Sequence, residues 1–100
     1  METTVLIKRT FSDDQKPFVD PLLVQLSRLA IKHKGFVCGE TLKSRENPEE
    51  HLIISKWASI EEWFDFDRDE KVKQLYQSID MITGRESSFW IYQHEWKNAS

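Results

Sequence analysis

The chain has 100 residues, a formal net charge of −3 at pH 7, four Trp and six Phe. This length supports one hydrophobic core and one domain, residues 1–100. The acidic balance and the scattered Lys and Arg residues exclude a nucleic-acid partner, which needs a clustered basic face. The longest apolar run is far shorter than the ~20 residues of a membrane span, and the N-terminus has no signal-peptide pattern. We therefore expect a cytoplasmic protein with no membrane partner.

The cysteine and the three histidines show no pattern typical of a metal site or a nucleophile. Cys38 has no cysteine to pair with and no activating base at a suggestive spacing, so we expect a small, buried, unreactive side chain. His33 falls at a helix end, His51 at a strand start and His94 at a strand end. None of these spacings matches a metal-ligand motif, and we expect no bound metal.

The first strand and the first helix are indicated by composition and period. Residues 4–11 are β-branched and apolar with two cations between them, which predicts a strand. A helix follows from Pro17 or Pro21 to Lys34, because its apolar residues keep the i, i+3, i+4, i+7 spacing of one buried face. Gly35 would end this helix at C′, where a positive φ is least costly for glycine.

The next segment predicts a second strand and a hairpin connection. Residues 36–43, FVCGETLK, form the strand, and Gly39 within it indicates either a bulge or a close backbone approach. Residues 45–50 are polar and contain Asn47-Pro48, which is typical of a turn.

The third strand leads through a capped turn into an aromatic helix. Residues 52–57 are apolar on both faces, which indicates a strand buried on both sides. Ser59 and Glu62 have the spacing of a capping box, in which each side chain bonds to the backbone amide of the other residue. Trp63 and Phe66, three residues apart, share one helical face and point toward the sheet. These rings either fill the core or wall a pocket between helix and sheet.

A second helical segment and a last strand complete the pattern. Val72 to Ile82 carry apolar residues at helical spacing, Asp67 with Glu70 could cap the segment, and Gly84 would close it. Residues 88–94 predict a fourth strand that is apolar on both faces.

The order strand, helix, strand, strand, helix, strand is that of an α+β, ferredoxin-like βαββαβ fold with a four-stranded antiparallel sheet. Right-handed crossovers place the helices on one face of the sheet. Four strands about 4.8 Å apart span about 19 Å, a width that two helices of about 10 Å cover once. The other face stays open, and residues 95–100 are expected to form a flexible tail.

The apolar residues of strands three and four predict a homodimer. A single chain would leave one large apolar sheet face in water, which is rare for a monomer. Two copies would cover these faces by packing sheet against sheet. Lys56 and Glu40 are the candidate polar members of that interface.

Several short motifs follow one another along nearly the whole chain. These motifs are Gly35-Phe36, Glu40-Thr41-Leu42, Asn47-Pro48, Lys56-Trp57-x-Ser59 and Trp63. In their order and spacing they resemble the antibiotic biosynthesis monooxygenase (ABM) domain family. The resemblance implies a dimeric α+β barrel with a pocket in each subunit between the sheet and the second helical region.

The resemblance implies one activity and leaves alternatives open. Characterised members oxidise quinols and polyketide phenols without metal or flavin, so we expect a cofactor-independent monooxygenase acting on a small aromatic or quinol substrate. The alternative is a non-catalytic dimer that binds a small aromatic ligand. A further branch degrades heme with an Asn, a Trp and a His, whose places fall near Lys8, Phe66 and Tyr76. All three depart from that pattern, which argues against heme degradation.

A cofactor-independent oxygenase must hold its substrate as an electron-rich anion in a dry pocket. Arg9 or Lys8, whichever points inward, could stabilise a phenolate, because strand alternation sends the two side chains to opposite faces. Tyr76 could relay a proton. The candidate substrate-binding residues are aromatic: Trp57, Trp63, Phe66 and Trp90. The structural alternative is that the cations are solvated edge charges and the rings are core.

Overall fold

The computed structural model of the chain describes residues 1–96. Its elements are β1 (Thr3–Thr10), α1 (Lys16–Lys32), β2 (Phe36–Lys43), β3 (Glu50–Trp57), α2 (Ile60–Asp67), α3 (Glu70–Thr83) and β4 (Ser88–Gln93). The strands form one antiparallel sheet in the order β2-β3-β1-β4. The predicted α+β, ferredoxin-like fold is confirmed. Of the predicted tail 95–100, residues 97–100 lie outside the described residues.

The helices cover one face of the sheet, which we call the helix face. Alternate residues of β1 are buried there because successive side chains of a strand point to opposite sides. The buried apolar residues that form the core are Val5, Ile7, Phe11, Val19, Leu26, Trp57, Trp63, Phe66, Val72 and Ile79. No helix within residues 1–96 is both long enough and apolar enough to cross a lipid bilayer.

The other side of the sheet, which we call the open face, carries large apolar side chains in contact with solvent. Leu6 pairs with Ile54 on β3 and with Trp90 on β4, so the three side chains share this face. Trp90 is 41% exposed. The prediction of a buried Cys38 is wrong, because this residue lies on edge strand β2 opposite Lys56 and is exposed on the open face.

Helix α1 begins and ends earlier than predicted. Pro17 lies in its first turn, as its missing amide and fixed φ allow, and Pro21 lies inside the helix. The last helical residue is Lys32, with His33 as the C-cap. Gly35 has a φ of 90°, but it belongs to the turn into β2, so its predicted role as C′ is wrong.

Gly39 marks a close backbone approach, which is one of its two predicted roles. A Cβ at this position would lie 3.3 Å from the carbonyl oxygen of Ile54 on the neighbouring strand. The register irregularity of β2 falls between Phe36 and Cys38, so the bulge precedes Gly39. The other strands differ only slightly from their predicted ends.

The predicted capping box at the start of α2 is half formed. The Oγ of Ser59 accepts a hydrogen bond of 3.3 Å from the Glu62 amide, which satisfies a free N–H of the first turn. The Glu62 side chain packs instead against Gly35, and its Oε2 is buried without a hydrogen-bond partner in residues 1–96.

Helix α3 is capped by Asp69, and the prediction of Asp67 as its cap is wrong. The Asp69 carboxylate accepts from the amides of Lys71 and Val72 at 2.9 and 3.3 Å. Asp67 is the last residue of α2, which continues one residue beyond Phe66. Gly84 ends α3 in the left-handed conformation with a φ of 70°, as predicted.

Candidate functional site

A cavity of about 230 Å³ lies between the helix face of the sheet and the helices. Its wall is mostly apolar and comes from β1, β2, β3 and all three helices. The apolar lining residues are Ile7, Leu23, Leu26, Ala30, Ile31, Phe36, Ile53, Trp57, Trp63 and Phe66. Concave apolar sites with a few convergent polar groups are the usual setting for small-molecule binding.

An aromatic cluster forms the part of the wall where β3 meets α2. The Trp57 and Phe66 ring centroids lie 5.0 Å apart, and the Phe36 ring packs edge-on to Trp57 at 5.3 Å. The indole Nε1 of Trp57 donates to the Oγ of Ser55 at 3.1 Å, so its one polar group is satisfied. Trp63 is also buried. This cluster presents rigid aromatic surface that suits a flat ligand.

The guanidinium of Arg9 supplies a buried positive charge to the cavity. The residue is 4% exposed, and its Nε donates to the Oγ of Ser87 at 3.0 Å. The Ser87 hydroxyl in turn donates to Asp80 Oδ1 at 3.1 Å. Burial lowers the pKa of Arg9, while Tyr76 and Asp80 oppose that shift. A guanidinium nevertheless stays protonated in proteins.

One nitrogen of this guanidinium lacks a hydrogen-bond partner within residues 1–96. The Nη2 of Arg9 is buried and has no hydrogen-bond partner in the part of the chain that the structure describes. A buried donor without a partner is unfavourable, and a charged one more so. An acceptor atom placed in the cavity beside Nη2 would remove this penalty.

Tyr76 on α3 lies next to Arg9 and also lines the cavity. The Arg9 Cζ is 5.5 Å from the centroid of the Tyr76 ring, and the Phe89 ring packs against the same phenol at 5.5 Å. Burial raises the pKa of Tyr76 above its ordinary value; Asp67 adds to the shift and Arg9 opposes it. The phenol therefore keeps its proton at neutral pH and can donate a hydrogen bond.

Comparison with known proteins gives matches in structure only. No family model and no curated protein matches the chain. A conserved protein from Methanosarcina mazei is 17% identical and covers 95% of this chain and 94% of its own, with a TM-score of 0.86. An antibiotic biosynthesis monooxygenase is 12% identical, covers 93% of this chain and 98% of its own, and has a TM-score of 0.80.

SnoaB from Streptomyces nogalater, a cofactor-independent oxygenase, has a TM-score of 0.80 and is 11% identical over 96% of this chain and 95% of its own. The chain has the antibiotic biosynthesis monooxygenase (ABM) fold. The predicted resemblance is confirmed at the level of the fold. At these identities the residues of the ABM neighbours do not carry over, so the site is argued from this chain alone.

Five of the predicted site residues meet at one cavity of this ABM fold. These five are Arg9, Tyr76, Trp57, Trp63 and Phe66. They come from β1, β3, α2 and α3, and the fold brings them together although they are distant in sequence. Of the two adjacent cations considered for the inward position, the structure selects Arg9.

Lys8 and Trp90 do not belong to this cavity. The Lys8 Nζ lies 6.0 Å from the Trp90 ring centroid and 3.9 Å from Glu50 Oε1, on the open face. The prediction that Trp90 joins Trp63 around one ring is therefore wrong. Strand alternation turns Phe89, not Trp90, toward Tyr76, and the sheet separates Trp90 from the helices.

Ser87 and Asp80 were missed by the sequence reasoning. Asp80 follows Tyr76 by four residues on α3, so its helical face could have been anticipated. Ser87 lies in the connection to β4, and nothing in its local pattern marks it as a partner of Arg9.

Two of the three histidines pack against aromatic rings in this ABM fold. His51 stacks on Phe11 with ring centroids 4.0 Å apart, and His33 packs edge-on to Trp57 and Phe66. Within residues 1–96 no three His, Cys, Asp or Glu side chains group in a way that could hold a metal ion.

Proposed function

We propose that the protein is a cofactor-independent monooxygenase that oxidises a small aromatic or quinol substrate in the cavity lined by Arg9 and Tyr76. The observation that carries this proposal is the buried Arg9 Nη2 without a partner beside an apolar, aromatic-walled cavity. The ABM fold shared with SnoaB, a cofactor-independent oxygenase, supports the reaction class. The fold alone does not fix a function, so the site must carry the argument.

In the proposed reaction the substrate supplies all the electrons. A phenolate transfers an electron to dioxygen, and the resulting radical pair joins through a new C–O bond at a ring carbon conjugated with the oxyanion. Protonation gives a hydroperoxide. That ring carbon then loses its hydrogen as the O–O bond breaks, which leaves a carbonyl oxygen on the ring and releases water. One phenol and one dioxygen thus give one quinone and one water.

The residues around the cavity can support the steps of this proposed reaction. Arg9 holds the oxyanion, since a fixed cation in a water-poor site stabilises negative charge more strongly than water does. Tyr76 keeps its proton because its pKa is raised, and it can donate a hydrogen bond to the oxyanion or to the peroxide oxygen. Trp57, Trp63 and Phe66 hold the ring by packing against its faces and edges.

Oxygen uptake with a panel of small quinols and hydroxyarenes tests the proposal. We expect uptake that depends on the protein, and a loss of about tenfold or more in Arg9→Ala and in Tyr76→Phe. Arg28→Gln removes an exposed cation on α1 and should leave the rate unchanged. If neither variant changes the rate of oxygen uptake, Arg9 and Tyr76 have no role in the proposed reaction. Binding of the panel without uptake would favour the alternative, a non-catalytic dimer that binds a small aromatic ligand.

We also propose that the protein is a homodimer formed by two open faces. Trp90 is 41% and Tyr92 is 54% exposed there beside Leu6 and Ile54. Apolar surface of this kind on a sheet generally marks an interface. The predicted polar members Lys56 and Glu40 both lie on the open face, as their register partners show.

Sedimentation velocity at micromolar concentration tests the dimer. We expect a dimer mass for the unchanged protein, and a monomer mass for Trp90→Glu because a charge on the open face would be buried without a partner. Met81→Glu, at a site 84% exposed on α3, is the control and should stay dimeric. A monomer mass for the unchanged protein would contradict the proposal.

We also propose that the protein is cytoplasmic, because the free thiol of Cys38 suits a reducing compartment.

A further inference from the structure

The ionisable residues around the cavity differ in charge and in whether their side chains face its interior. Arg9, Tyr76 and Glu40 are the ionisable residues of its lining. Arg9 contributes a positive charge, and the raised pKa of Tyr76 keeps that phenol neutral. Glu40 is exposed at the β2 edge, and its register partner Ile54 places its side chain on the open face. The interior therefore offers a cation and a hydroxyl donor.

The charge of Arg9 is only indirectly compensated. Asp80 reaches it through the Ser87 hydroxyl, with 3.0 Å from Arg9 to Ser87 and 3.1 Å from Ser87 to Asp80. No ion pair joins the guanidinium to a carboxylate within residues 1–96. The buried positive charge of Arg9 would therefore be stabilised by an anion bound beside it.

The other charged or titratable groups near Arg9 do not neutralise its charge. Asp67 at the end of α2 acts on Tyr76, and burial raises the pKa of its carboxyl, with Lys73 opposing. His51 is the β3 register partner of Arg9, but its ring stacks on Phe11 and its Nδ1 contacts the Glu49 carbonyl at 2.9 Å. Neither Asp67 nor His51 lines the cavity.

We infer that the cavity is an anion-recognition site, which selects flat one- or two-ring molecules carrying a negatively charged oxygen over their neutral analogues. The oxygen binds the free Nη2 of Arg9, and the ring lies against Trp57 and Phe66. This inference deepens the proposed function and rests on it for the reaction. It narrows the substrate class to hydroxyarenes and hydroxyquinones acidic enough to enter already ionised.

The size of the cavity agrees with such a ligand. An apolar cavity of about 150 Å³ is enough for benzene in a well-studied case. The cavity here is about 230 Å³, which suits one ring or two fused rings. Charge-assisted hydrogen bonds to a guanidinium are among the stronger polar contacts, and a dry surrounding strengthens them further.

Isothermal titration calorimetry on the whole protein tests the preference with two probes of matched shape. 2-Hydroxy-1,4-naphthoquinone is an anion at neutral pH, and 2-methoxy-1,4-naphthoquinone is neutral. We expect the hydroxy compound to bind at least tenfold more tightly. Arg9→Gln should abolish this difference, Arg9→Lys should retain part of it, and the exposed-site control Arg28→Gln should retain all of it. Equal affinities of the unchanged protein for the two probes would overturn the inference.

A second measurement uses only the unchanged protein, so it tests the preference for anions even if Arg9→Gln fails to fold. The visible absorbance of 2-hydroxy-1,4-naphthoquinone reports its ionisation, so its apparent pKa can be titrated at saturating protein. We expect that pKa to fall on binding, because the site favours the anion. An unchanged or raised value would overturn the inference.

The outcomes for this site and for the proposed reaction are separable. Selective anion binding without oxygen uptake on any ionised hydroxyarene would sustain the recognition site and reject the oxygenase. Oxygen uptake at equal rates with ionised and neutral substrates would sustain the oxygenase and reject selection for anions.

Discussion

Lys8 and Arg9 are neighbours in sequence and lie on opposite faces of the sheet. Arg9 is 4% exposed beneath the helices, whereas Lys8 lies on the open face with its Nζ 6.0 Å from the Trp90 ring centroid. The two cations differ in environment far more than in chemistry. Arg9 has an unpartnered donor beside the cavity, and Lys8 has a carboxylate of Glu50 at 3.9 Å.

This pair gives a prediction for ligand binding. Arg9→Gln should weaken binding of a hydroxyarene anion by about tenfold to a hundredfold, since a charge-assisted hydrogen bond contributes about 1.5–3 kcal/mol. Lys8→Gln removes the same charge one residue away and should leave binding within about twofold, because the sheet separates it from the cavity. Titration calorimetry measures both. A larger loss for Lys8→Gln than for Arg9→Gln would contradict the assignment of faces.

Two side chains of α3 give a prediction for stability. Ile79 is fully buried and Met81, two residues further on, is 84% exposed. Ile79→Ala should lower the free energy of unfolding by about 2–5 kcal/mol through lost burial and a residual cavity. Met81→Ala should change it by less than about 0.5 kcal/mol. Urea denaturation of both variants is the measurement, and similar losses for the two would contradict the orientation of α3.

Gly35 and Gly84 give a prediction about backbone conformation and space. Both have positive φ, 90° and 70°, but only a Cβ at Gly35 would overlap another side chain, that of Glu62. Gly84→Ala should cost about 1–2 kcal/mol from conformation alone. Gly35→Ala should cost more, and adding Glu62→Ala should recover part of the excess. A double-mutant cycle by denaturation measures this coupling, and additive losses would show that the overlap is absent.

Asp67 gives a prediction for pH dependence. Burial raises the pKa of its carboxyl above the ordinary value of 3.8 in the folded chain. The unfolded chain therefore loses this proton at lower pH than the folded chain. The contribution of Asp67 to the free energy of unfolding falls as pH rises from 3.8 through the raised pKa, and it is constant at higher pH. Asp67→Asn should be more stable than the unchanged protein at pH 7, and the gain should vanish below pH 3.8. A gain that grows at acid pH would contradict this environment.

Much of the fold could be predicted because its signals are local. Ser59 as an N-cap and Gly84 as a left-handed C-cap depend on the chemistry of single residues near a helix end. The ends of α1 were less predictable. Lys34 and Gly35 lie in the turn after α1. The Glu62 side chain of α2 packs against Gly35, and the sequence around the helix end does not reveal that partner.

The candidate site could be predicted only in part because its polar geometry is long-range. Alternation required that Lys8 and Arg9 face opposite ways, but the choice between them depends on which face the helices cover. Trp90 lies in a strand that is apolar on both faces, so periodicity could not assign its side. The bridge from Arg9 to Asp80 through Ser87 joins β1, α3 and the connection between α3 and β4, and no local pattern encodes it.

A crystal structure of the protein with 2-hydroxy-1,4-naphthoquinone bound tests the central claim most directly. We predict the ionised oxygen about 2.7–2.9 Å from Arg9 Nη2, with the ring packed on Trp57 and Phe66 inside the cavity. A ligand seated on the open face beside Trp90, or one in the cavity with its charged oxygen turned away from Arg9, would contradict the assignment of this site.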